Sequence, residues 1–398
     1  MSDQNQTQLV FIIAGENSGD ALGASLMQAL IDKSDGDMRF VGVGGPEMEA
    51  QGLSSLFPMQ DLAVMGVFEV LPQLPRLLKR MTQTADAVER LNPDVVVSID
   101  APDFCFRVIK KLKARGVKAP IVHYVAPTVW AWRAGRAAKV AVFLDHLLCL
   151  LPFEPPYFHR EGLDATFVGH PVVTQTFEPS QGVAFRQRHN IGPDAPVLCV
   201  LPGSRRGEVA RLLAVFEQAV QRLSAQFPGL TVVIPAVSHI SDHVRTVVST
   251  WQTTTLVVDA DEKKAAFCAS DAALAASGTV TLELAMAGVP HVIGYRVNAL
   301  TAFVGKMLIK TPYVNLINIC LGREAVPELI QEDCTPDNLA REVARLLDDE
   351  GARATQCAQA SEALAQLGLG GPSPGERAAD VVLDVMNKKK KGRVNGHL

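Results

Sequence analysis

The sequence is poor in aromatic residues and carries no strong charge of either sign. Aromatic side chains make up 6% of its 398 residues, and the formal net charge is −4. Proteins that bind nucleic acid through its phosphates carry a clear positive charge, so this balance argues against that class. We therefore predict that nucleic acid is not a partner.

Long apolar runs are also missing. A membrane-spanning helix needs about 20 consecutive apolar residues. The longest candidate, residues 140–153, is divided by Asp145 and His146 and stopped by Pro152. Residues 1–8 are polar and lack a basic stretch followed by an apolar one, so no secretory signal is predicted. These absences predict a cytoplasmic protein.

Several short motifs of known chemistry are absent as well. The seven cysteines are dispersed and form no C-x-x-C pair, which predicts free thiols in a reducing compartment. The sequence has no Walker phosphate loop, no G-x-G-x-x-G dinucleotide fingerprint and no H-E-x-x-H zinc motif. A Walker-type nucleotidase, a nicotinamide or flavin enzyme and a zinc protease are therefore not supported.

The apolar residues that are present, 48% of the chain, are mainly aliphatic. Runs that suit buried strands alternate with amphipathic helical stretches from residue 9 to 168, and a second alternating set spans residues 197–295. This order predicts an α/β protein with two Rossmann-like domains, each a doubly wound parallel sheet, facing across a cleft. The predicted limits are 1–178 for the N-terminal domain, 179–350 for the C-terminal domain, 351–385 for helices that this architecture would allow to cross back, and 386–398 for a basic disordered tail.

Two glycine-containing loops, 201–208 and 276–283, each follow an apolar strand and open a helix. Glycine lets the backbone approach a ligand, and a helix N-terminus offers unpaired N–H groups. Arg205 adds a planar fork for phosphate oxygens, and the Glu283 carboxylate could accept both hydroxyls of a ribose. Each loop alone is equally consistent with an ordinary strand–helix turn, but two in one domain favour a nucleoside diphosphate site.

Acidic residues follow two strands of the first domain. Asp100 ends the strand predicted at 95–99 and is the better placed general base, whereas Asp103 is the better placed helix cap. Glu16 and Asp20, after the first strand, would repel phosphate. Their loop therefore suits the hydroxyl groups of a sugar.

Residues 62–78 are the most apolar irregular segment, with eleven of seventeen residues Ala, Val, Leu, Met or Phe. Gly66, Pro72 and Pro75 predict that the segment does not form one regular helix. Residues 76–139 carry 13 basic and 5 acidic side chains, a net charge of +8. An apolar segment beside a cationic field suits a membrane surface, and an irregular core helix is the alternative.

The motifs taken together resemble the lipid-A-disaccharide synthase family. They are GENSGD at 15–20, GVGGPEM at 42–48, MGVFEVLP at 65–72, IDAPDF at 99–104, PTVWAWR at 127–133, VGHPV at 168–172, PGSRRGE at 202–208, SGTVTLE at 277–283 and GREAVPELIQ at 322–331. The resemblance implies the glycosyltransferase B fold, with no metal and no cofactor. It implies transfer of 2,3-diacylglucosamine from its UDP carrier to the 6-hydroxyl of 2,3-diacylglucosamine 1-phosphate, which yields a β-1,6 disaccharide with inversion and releases UDP.

The resemblance also implies residue roles, with Asp100 as the general base. Nucleotide and diphosphate contacts are expected from Gly203, Ser204, Arg205, Glu208, Ser277, Gly278, Thr279, Glu283 and Asn318. Sugar or acceptor contacts are expected from Glu16, Asn17, Ser18 and Asp20. Acyl-chain and membrane contacts are expected from Met65, Val67, Phe68, Leu71, Leu74 and Leu77.

The implied partners are the two lipid substrates and the inner membrane, with the protein peripheral on its cytoplasmic face. A homodimer is compatible with the resemblance. Three other readings stay open on the residues alone: an isomerase like the UDP-sugar 2-epimerases, a transferase that builds another glycolipid, and a lipid-binding scaffold without activity. An isomerase would need neither an acceptor nor the apolar segment 62–78.

Overall fold

The computed structural model describes residues 7–34, 36–62, 67–131, 135–298 and 311–395, with side chains except at 67–72 and 390–395. Its chain divides into two compact units. The first unit takes residues up to Pro171 and from Gly370 onward, and the second takes Val172–Leu369.

The first unit is a parallel sheet covered by helices on both faces. Its strands are β1 (Gln8–Ala14), β2 (Met38–Val43), β3 (Ser54–Ser55), β4 (Val95–Ile99), β5 (Ile121–Tyr124), β6 (His146–Cys149) and β7 (Ala165–Phe167). Its helices are α1 (Asn17–Lys33), α2 (Pro46–Ala50), α3 (Val67–Leu91), α4 (Pro102–Ala114), α5 (Arg136–Ala141), α6 (Pro155–His159) and the C-terminal α15 (Pro374–Asn395), with a 3-10 turn at Met59–Leu62. The strand order among the described residues is β3-β2-β1-β4-β5-β6-β7.

The second unit repeats this plan. Its strands are β8 (Val197–Leu201), β9 (Thr231–Pro235), β10 (Thr254–Val258), β11 (Ala272–Ala275), β12 (His291–Tyr295) and β13 (Glu328–Ile330), in the order β10-β9-β8-β11-β12-β13. Its helices are α7 (Pro179–Arg188), α8 (Arg206–Gln226), α9 (Ser238–Val248), α10 (Lys263–Cys268), α11 (Val280–Met286), α12 (Leu316–Leu321), α13 (Pro336–Asp348) and α14 (Glu350–Gln366). Further 3-10 turns lie at Pro171–Thr174 and Ala260–Glu262.

Strand residues face two apolar cores in each unit because successive side chains of a strand point to opposite faces. In β1, Phe11 and Ile13 join one core while Val10 and Ile12 join the other. In the second unit Leu198 of β8 belongs to one core, whereas Val197 belongs to the other. Strands buried on both faces read as continuous aliphatic runs. The prediction of two doubly wound parallel sheets is confirmed.

The C-terminal helical stretch is shared between the units: α14 belongs to the second and α15 to the first. Helix α15 packs against α1. The Lys33 ammonium lies 2.6 Å from the Asp380 carboxylate, and a side chain at Gly375 would clash with Ser25. This helix therefore supplies one wall of the core behind β1.

One sequence expectation about helix α3 is wrong. The prolines were expected to prevent a regular helix at 62–78, but α3 runs from Val67 to Leu91 through Pro72 and Pro75. Each proline removes one backbone hydrogen bond. The turns that follow are anchored by buried Met81, Ala85 and Val88, and the helix packs on α4. Tertiary burial thus outweighs the local cost.

Candidate active site

The first site lies at the carboxyl edge of the first sheet, where β1 and β4 are neighbours and Ala14 pairs with Ile99. Asp100 follows β4, and its N–H donates to the Tyr124 carbonyl at 2.9 Å. Asp100 and Ala101 adopt φ values of 49° and 41°, a region that most residues avoid. Strain of this kind persists where the surrounding structure imposes it, and it often marks functional sites.

Glu16 stands beside Asp100 at this edge. A Cβ at Gly15 would lie 2.8 Å from the Ala101 Cβ, so the two loops are in close contact. Burial, and then the negative charge of Asp100, raise the pKa of the Glu16 carboxyl above its usual value. The edge therefore carries two interacting carboxyl groups, of which Glu16 holds a proton to higher pH than usual.

The other residues of the first loop divide into two groups. Asn17 and Ser18 are exposed at the start of α1. Asp20 is buried, and its carboxylate accepts backbone N–H groups from Gly45 at 2.8 Å, Glu47 at 3.0 Å and Met48 at 3.2 Å. Both of its oxygens are used to hold the start of α2, so Asp20 supports the neighbouring loop.

The expected helix cap next to Asp100 is not made. The N-cap position of α4 is Ala101, and no side chain caps it. Asp103 is exposed in the first turn of the helix, where a carboxylate still interacts favourably with the helix dipole.

A buried carboxyl group that the sequence did not reveal lies at the same sheet edge. Glu154 follows β6 and accepts hydrogen bonds from the Trp130 indole at 3.2 Å and the Leu151 N–H at 3.0 Å. Burial raises the pKa of Glu154 to about 7. Trp130 also packs edge-on against Phe153, with ring centroids 5.2 Å apart. Nothing in the spacing of this segment marks Glu154 as buried.

The segment expected to contact acyl chains is described only in part. Met65 lies outside the described residues, and Val67, Phe68 and Leu71 have a described backbone in α3 but no described side chains. The Leu74 and Leu78 side chains are exposed, whereas Leu77 packs against the core. A shallow groove of about 820 Å³ beside them is lined by Leu56, Leu78, Lys79, Arg80, Thr82, Gln83, Asp86, Ala87 and Arg90.

The second site is a cavity of about 280 Å³ at the carboxyl edge of the second sheet. Its lining combines both glycine-containing loops with three residues from other elements, Pro235, Val237 and Lys263. It includes Gly203, Ser204, Glu208, Lys263, Ser277, Gly278, Thr279, Val280 and Glu283. The two loops that the sequence singled out therefore meet in one pocket.

The loop at 203–208 is shaped by glycine. Gly203 has a φ of 103°, and a Cβ there would clash with the Glu208 carboxylate. The Ser204 N–H donates to that carboxylate at 3.3 Å, and exposed Arg205 stands at the N-cap of α8. The 21-residue helix α8 thus presents its N-terminus, with an arginine beside it, at the pocket.

Glu283 lies in the first turn of α11 and is paired within the pocket. The Lys263 ammonium donates to both of its carboxylate oxygens, at 3.0 and 2.8 Å. The Gln175 amide approaches one of them at 3.4 Å. Lys263 lies twenty residues earlier on another element, so no local motif links it to Glu283. The sequence alone therefore does not identify Lys263.

Asn318 does not line this pocket. It is buried, and its amide nitrogen donates to the Val326 carbonyl and the Glu328 carboxylate, each at 2.8 Å. Its amide oxygen accepts N–H groups from Ala325 at 2.8 Å and Val326 at 2.9 Å. The side chain fixes the segment before β13, and burial raises the pKa of Glu328 beside it.

Among the described residues, no group of three His, Cys, Asp or Glu side chains comes together as a metal site would require. No helix in the same part of the chain is long and apolar enough to cross a membrane.

Solved structures share this architecture at low sequence identity. A UDP-GlcNAc 2-epimerase from Neisseria meningitidis bound to UDP-GlcNAc superposes with a TM-score of 0.60 at 10% identity, covering 96% of this chain and 100% of that one. A spinosyn rhamnosyltransferase complexed with thymidine diphosphate superposes with a TM-score of 0.55 at 13% identity, covering 95% and 100%. Two parallel-sheet units with these likenesses define the glycosyltransferase B fold.

Sequence relatives are far closer. Residues 10–372 match the family described as lipid-A-disaccharide synthetase. A lipid-A-disaccharide synthase of Rhodospirillum centenum is 55% identical over 383 residues, covering 96% of this chain and 95% of the relative. Another, from Paramagnetospirillum magneticum, is 50% identical over 387 residues, covering 97% and 99%. The chain belongs to the lipid-A-disaccharide synthase family. It is a glycosyltransferase of lipid A biosynthesis, and the isomerase alternative is not favoured.

Proposed function

We propose that the chain transfers 2,3-diacylglucosamine from its UDP carrier to the 6-hydroxyl of 2,3-diacylglucosamine 1-phosphate. The bond to UDP breaks as the acceptor oxygen attacks the anomeric carbon, so the product is a β-1,6 disaccharide with inverted configuration. The observation that supports this most is the pocket of the second unit, where two glycine-containing loops and the paired Glu283 meet at the start of α8, whose N-cap residue is Arg205.

In this proposal the second unit binds the donor. Gly203, Ser204 and the start of α8 hold the diphosphate, with Arg205 donating to its oxygens. Ser277, Gly278 and Thr279 line the opposite loop, and Glu283 accepts the ribose hydroxyls. As UDP leaves, negative charge grows on its phosphate, and fixed N–H and guanidinium donors stabilise that charge. In this scheme no residue of this pocket acts as a general acid or base.

The first unit supplies the base. Asp100 takes the proton of the acceptor hydroxyl as that oxygen attacks the donor. Glu16 stands beside Asp100, with a pKa raised by burial and by the Asp100 charge, and can contact a sugar hydroxyl. Asn17 and Ser18 are exposed beside them and can bind further hydroxyls. Asp20 acts in this scheme through the loop that it holds, and Asn318 through the segment before β13.

The test of function is product analysis. Purified protein is incubated in detergent with UDP-2,3-diacylglucosamine and 2,3-diacylglucosamine 1-phosphate, and disaccharide and UDP are measured together. We expect equal amounts of both, with a β linkage by NMR. Conversion of the donor alone to an epimer would support an isomerase instead, and absence of disaccharide would reject the proposal.

We further propose that the protein works as a peripheral protein on the cytoplasmic face of the inner membrane. The exposed side chains of Leu74 and Leu78 lie on α3, within five residues before Lys79. The stretch 76–139 carries a net charge of +8. Apolar side chains beside basic ones suit an anionic lipid surface. This arrangement would bring both acylated substrates to the enzyme.

Membrane binding is tested with vesicles that contain anionic lipid. Replacing Leu74 and Leu78 by Ser should move most of the protein from the vesicle pellet to the supernatant. Val183, which is exposed on the second unit, provides the matched control, since Val183→Ser should sediment like the unchanged protein. Equal sedimentation of all three proteins would contradict the proposal.

A further inference from the structure

The Lys263–Glu283 pair is an ion pair inside a binding pocket. Lys263 begins α10 and Glu283 lies in the first turn of α11, and both line the cavity of the second unit. The ammonium reaches both carboxylate oxygens, at 3.0 and 2.8 Å, while the exposed fraction of the Glu283 side chain is 16%. Such a carboxylate is held in one orientation and is largely removed from water.

Lys263 is itself held from a second side. Its ammonium lies 6.0 Å from the centre of the Phe267 ring, which is fully buried and stacks on Phe177. An ammonium between a carboxylate and an aromatic face has little freedom to turn elsewhere. The lysine therefore has a fixed place in the pocket wall before any ligand binds.

A carboxylate offers about four acceptor positions on its two oxygens. Lys263 uses one position on each oxygen, and Gln175 approaches one oxygen at 3.4 Å. One position on Oε2 is thus free for a hydroxyl group, and the neighbouring hydroxyl of a diol can replace the distant Gln175 amide on Oε1. Without the lysine, a largely buried carboxylate would lack a counter-ion and would rotate away or bind a proton, and either change removes acceptors.

We propose that Lys263 is a positioning residue that orients the Glu283 carboxylate for the ribose diol of the nucleotide. This inference rests on the proposed function, since it needs Glu283 to bind the ribose. Lys263 acts through Glu283 in this scheme, while the diphosphate is left to Arg205 and the start of α8. Lys263 therefore determines how strongly the pocket prefers a ribose to a sugar that lacks the diol.

The experiment measures the binding of UDP and of 2′,3′-dideoxy-UDP by calorimetry. Losing a charge-assisted hydrogen bond costs about 1.5–3 kcal/mol, so Lys263→Met should weaken UDP binding by about tenfold or more. It should leave dideoxy-UDP binding within about twofold of the unchanged protein, because that ligand has no diol for Glu283. Lys263→Arg keeps the charge and the donors, and should restore most of the discrimination.

Three further variants make the result specific. Lys264 lies next in the chain but faces the Phe177 ring at 5.5 Å and does not line the cavity, so Lys264→Met should bind both ligands normally. Glu283→Gln should lose discrimination, and the double variant with Lys263→Met should lose no more, because the two residues act as one unit.

The outcomes separate the two proposals. Equal weakening of UDP and dideoxy-UDP in Lys263→Met would show a direct phosphate contact and overturn the positioning role. Unchanged UDP binding in that variant would also overturn it, while the Glu283 assignment stands if Glu283→Gln loses discrimination. If the unchanged protein binds both ligands equally, the ribose role of Glu283 fails and this inference fails with it. Circular dichroism of Lys263→Arg and Lys263→Met confirms that both variants fold.

Discussion

The buried carboxylate of Asp20 provides a prediction that separates structural support from substrate contact. Asp20→Asn keeps the size of the side chain and one oxygen, which can still accept from Gly45 and Met48. The new NH₂ group faces the Glu47 N–H, which now lacks an acceptor. One lost charge-assisted bond with an unpaired donor costs about 2–3 kcal/mol. For a unit of this size that lowers the melting temperature by about 5–10 °C.

The assay is thermal unfolding followed by circular dichroism, with Asp32→Asn as the control. Asp32 is exposed on the same helix and contacts only Gln28 among the hydrogen bonds seen, so its variant should melt like the unchanged protein. Below the transition, Asp20→Asn should keep a near-normal KM for the acceptor. An unchanged melting temperature together with a raised KM would refute the structural role and restore Asp20 as a sugar contact.

Three further predictions concern Glu154, Gly203 and Asn318. Because burial raises the folded-state pKa of Glu154 to about 7 from the ordinary 4.5, the folded state binds more protons than the unfolded one between these values. The contribution of Glu154 to the free energy of unfolding therefore falls by about 3 kcal/mol as pH rises through that window. We expect the melting temperature of the unchanged protein to fall between pH 5 and about 8 and that of Glu154→Gln to fall less; parallel profiles would contradict this. Gly203→Ala should weaken UDP binding at least about tenfold, because its φ is 103° and the new methyl group meets the Glu208 carboxylate. Gly207→Ala should not, because a Cβ there meets only the Arg211 guanidinium, at an ordinary contact distance of 3.7 Å. Asn318→Leu should lower the free energy of unfolding by about 3 kcal/mol or more, because the Ala325 and Val326 N–H groups and the Val326 carbonyl lose their side-chain partner and the Glu328 carboxylate loses one donor. An unchanged urea midpoint would refute that.

Much of the fold could be predicted because buried parallel strands leave a direct trace in sequence. The aliphatic runs at 95–99 and 197–201 coincide with β4 and β8. Two strands were missed because their sequences carry little of that trace. Strand β3 consists of two serines, and β13 is only three residues long and begins with Glu328. These two strands join their sheets by pairing with a neighbouring strand, β2 for β3 and β12 for β13.

The site was predictable only where chemistry follows the chain locally. The loops around Gly203 and Ser277 were recognisable because each combines a strand end, a glycine and a helix start, and they line one pocket. Lys263 was not recognisable, because its partner lies on another helix. Asp20 and Asn318 show the converse, since polar residues within motifs can be occupied by groups that only the fold brings to them: backbone N–H groups for Asp20, and backbone groups with the Glu328 carboxylate for Asn318.

The most direct test of the central claim compares the rate of disaccharide formation by Asp100→Asn with that of the unchanged enzyme. Asparagine tolerates the left-handed backbone at this position, so the change removes the base without removing the fold. Asp103→Asn, three residues further along the chain and exposed in the first turn of α4, is the matched control. We predict that Asp100→Asn lowers kcat by about 10²–10⁴-fold with little change in KM, while Asp103→Asn stays near normal. A kcat within a few-fold of the unchanged enzyme for Asp100→Asn would contradict the account.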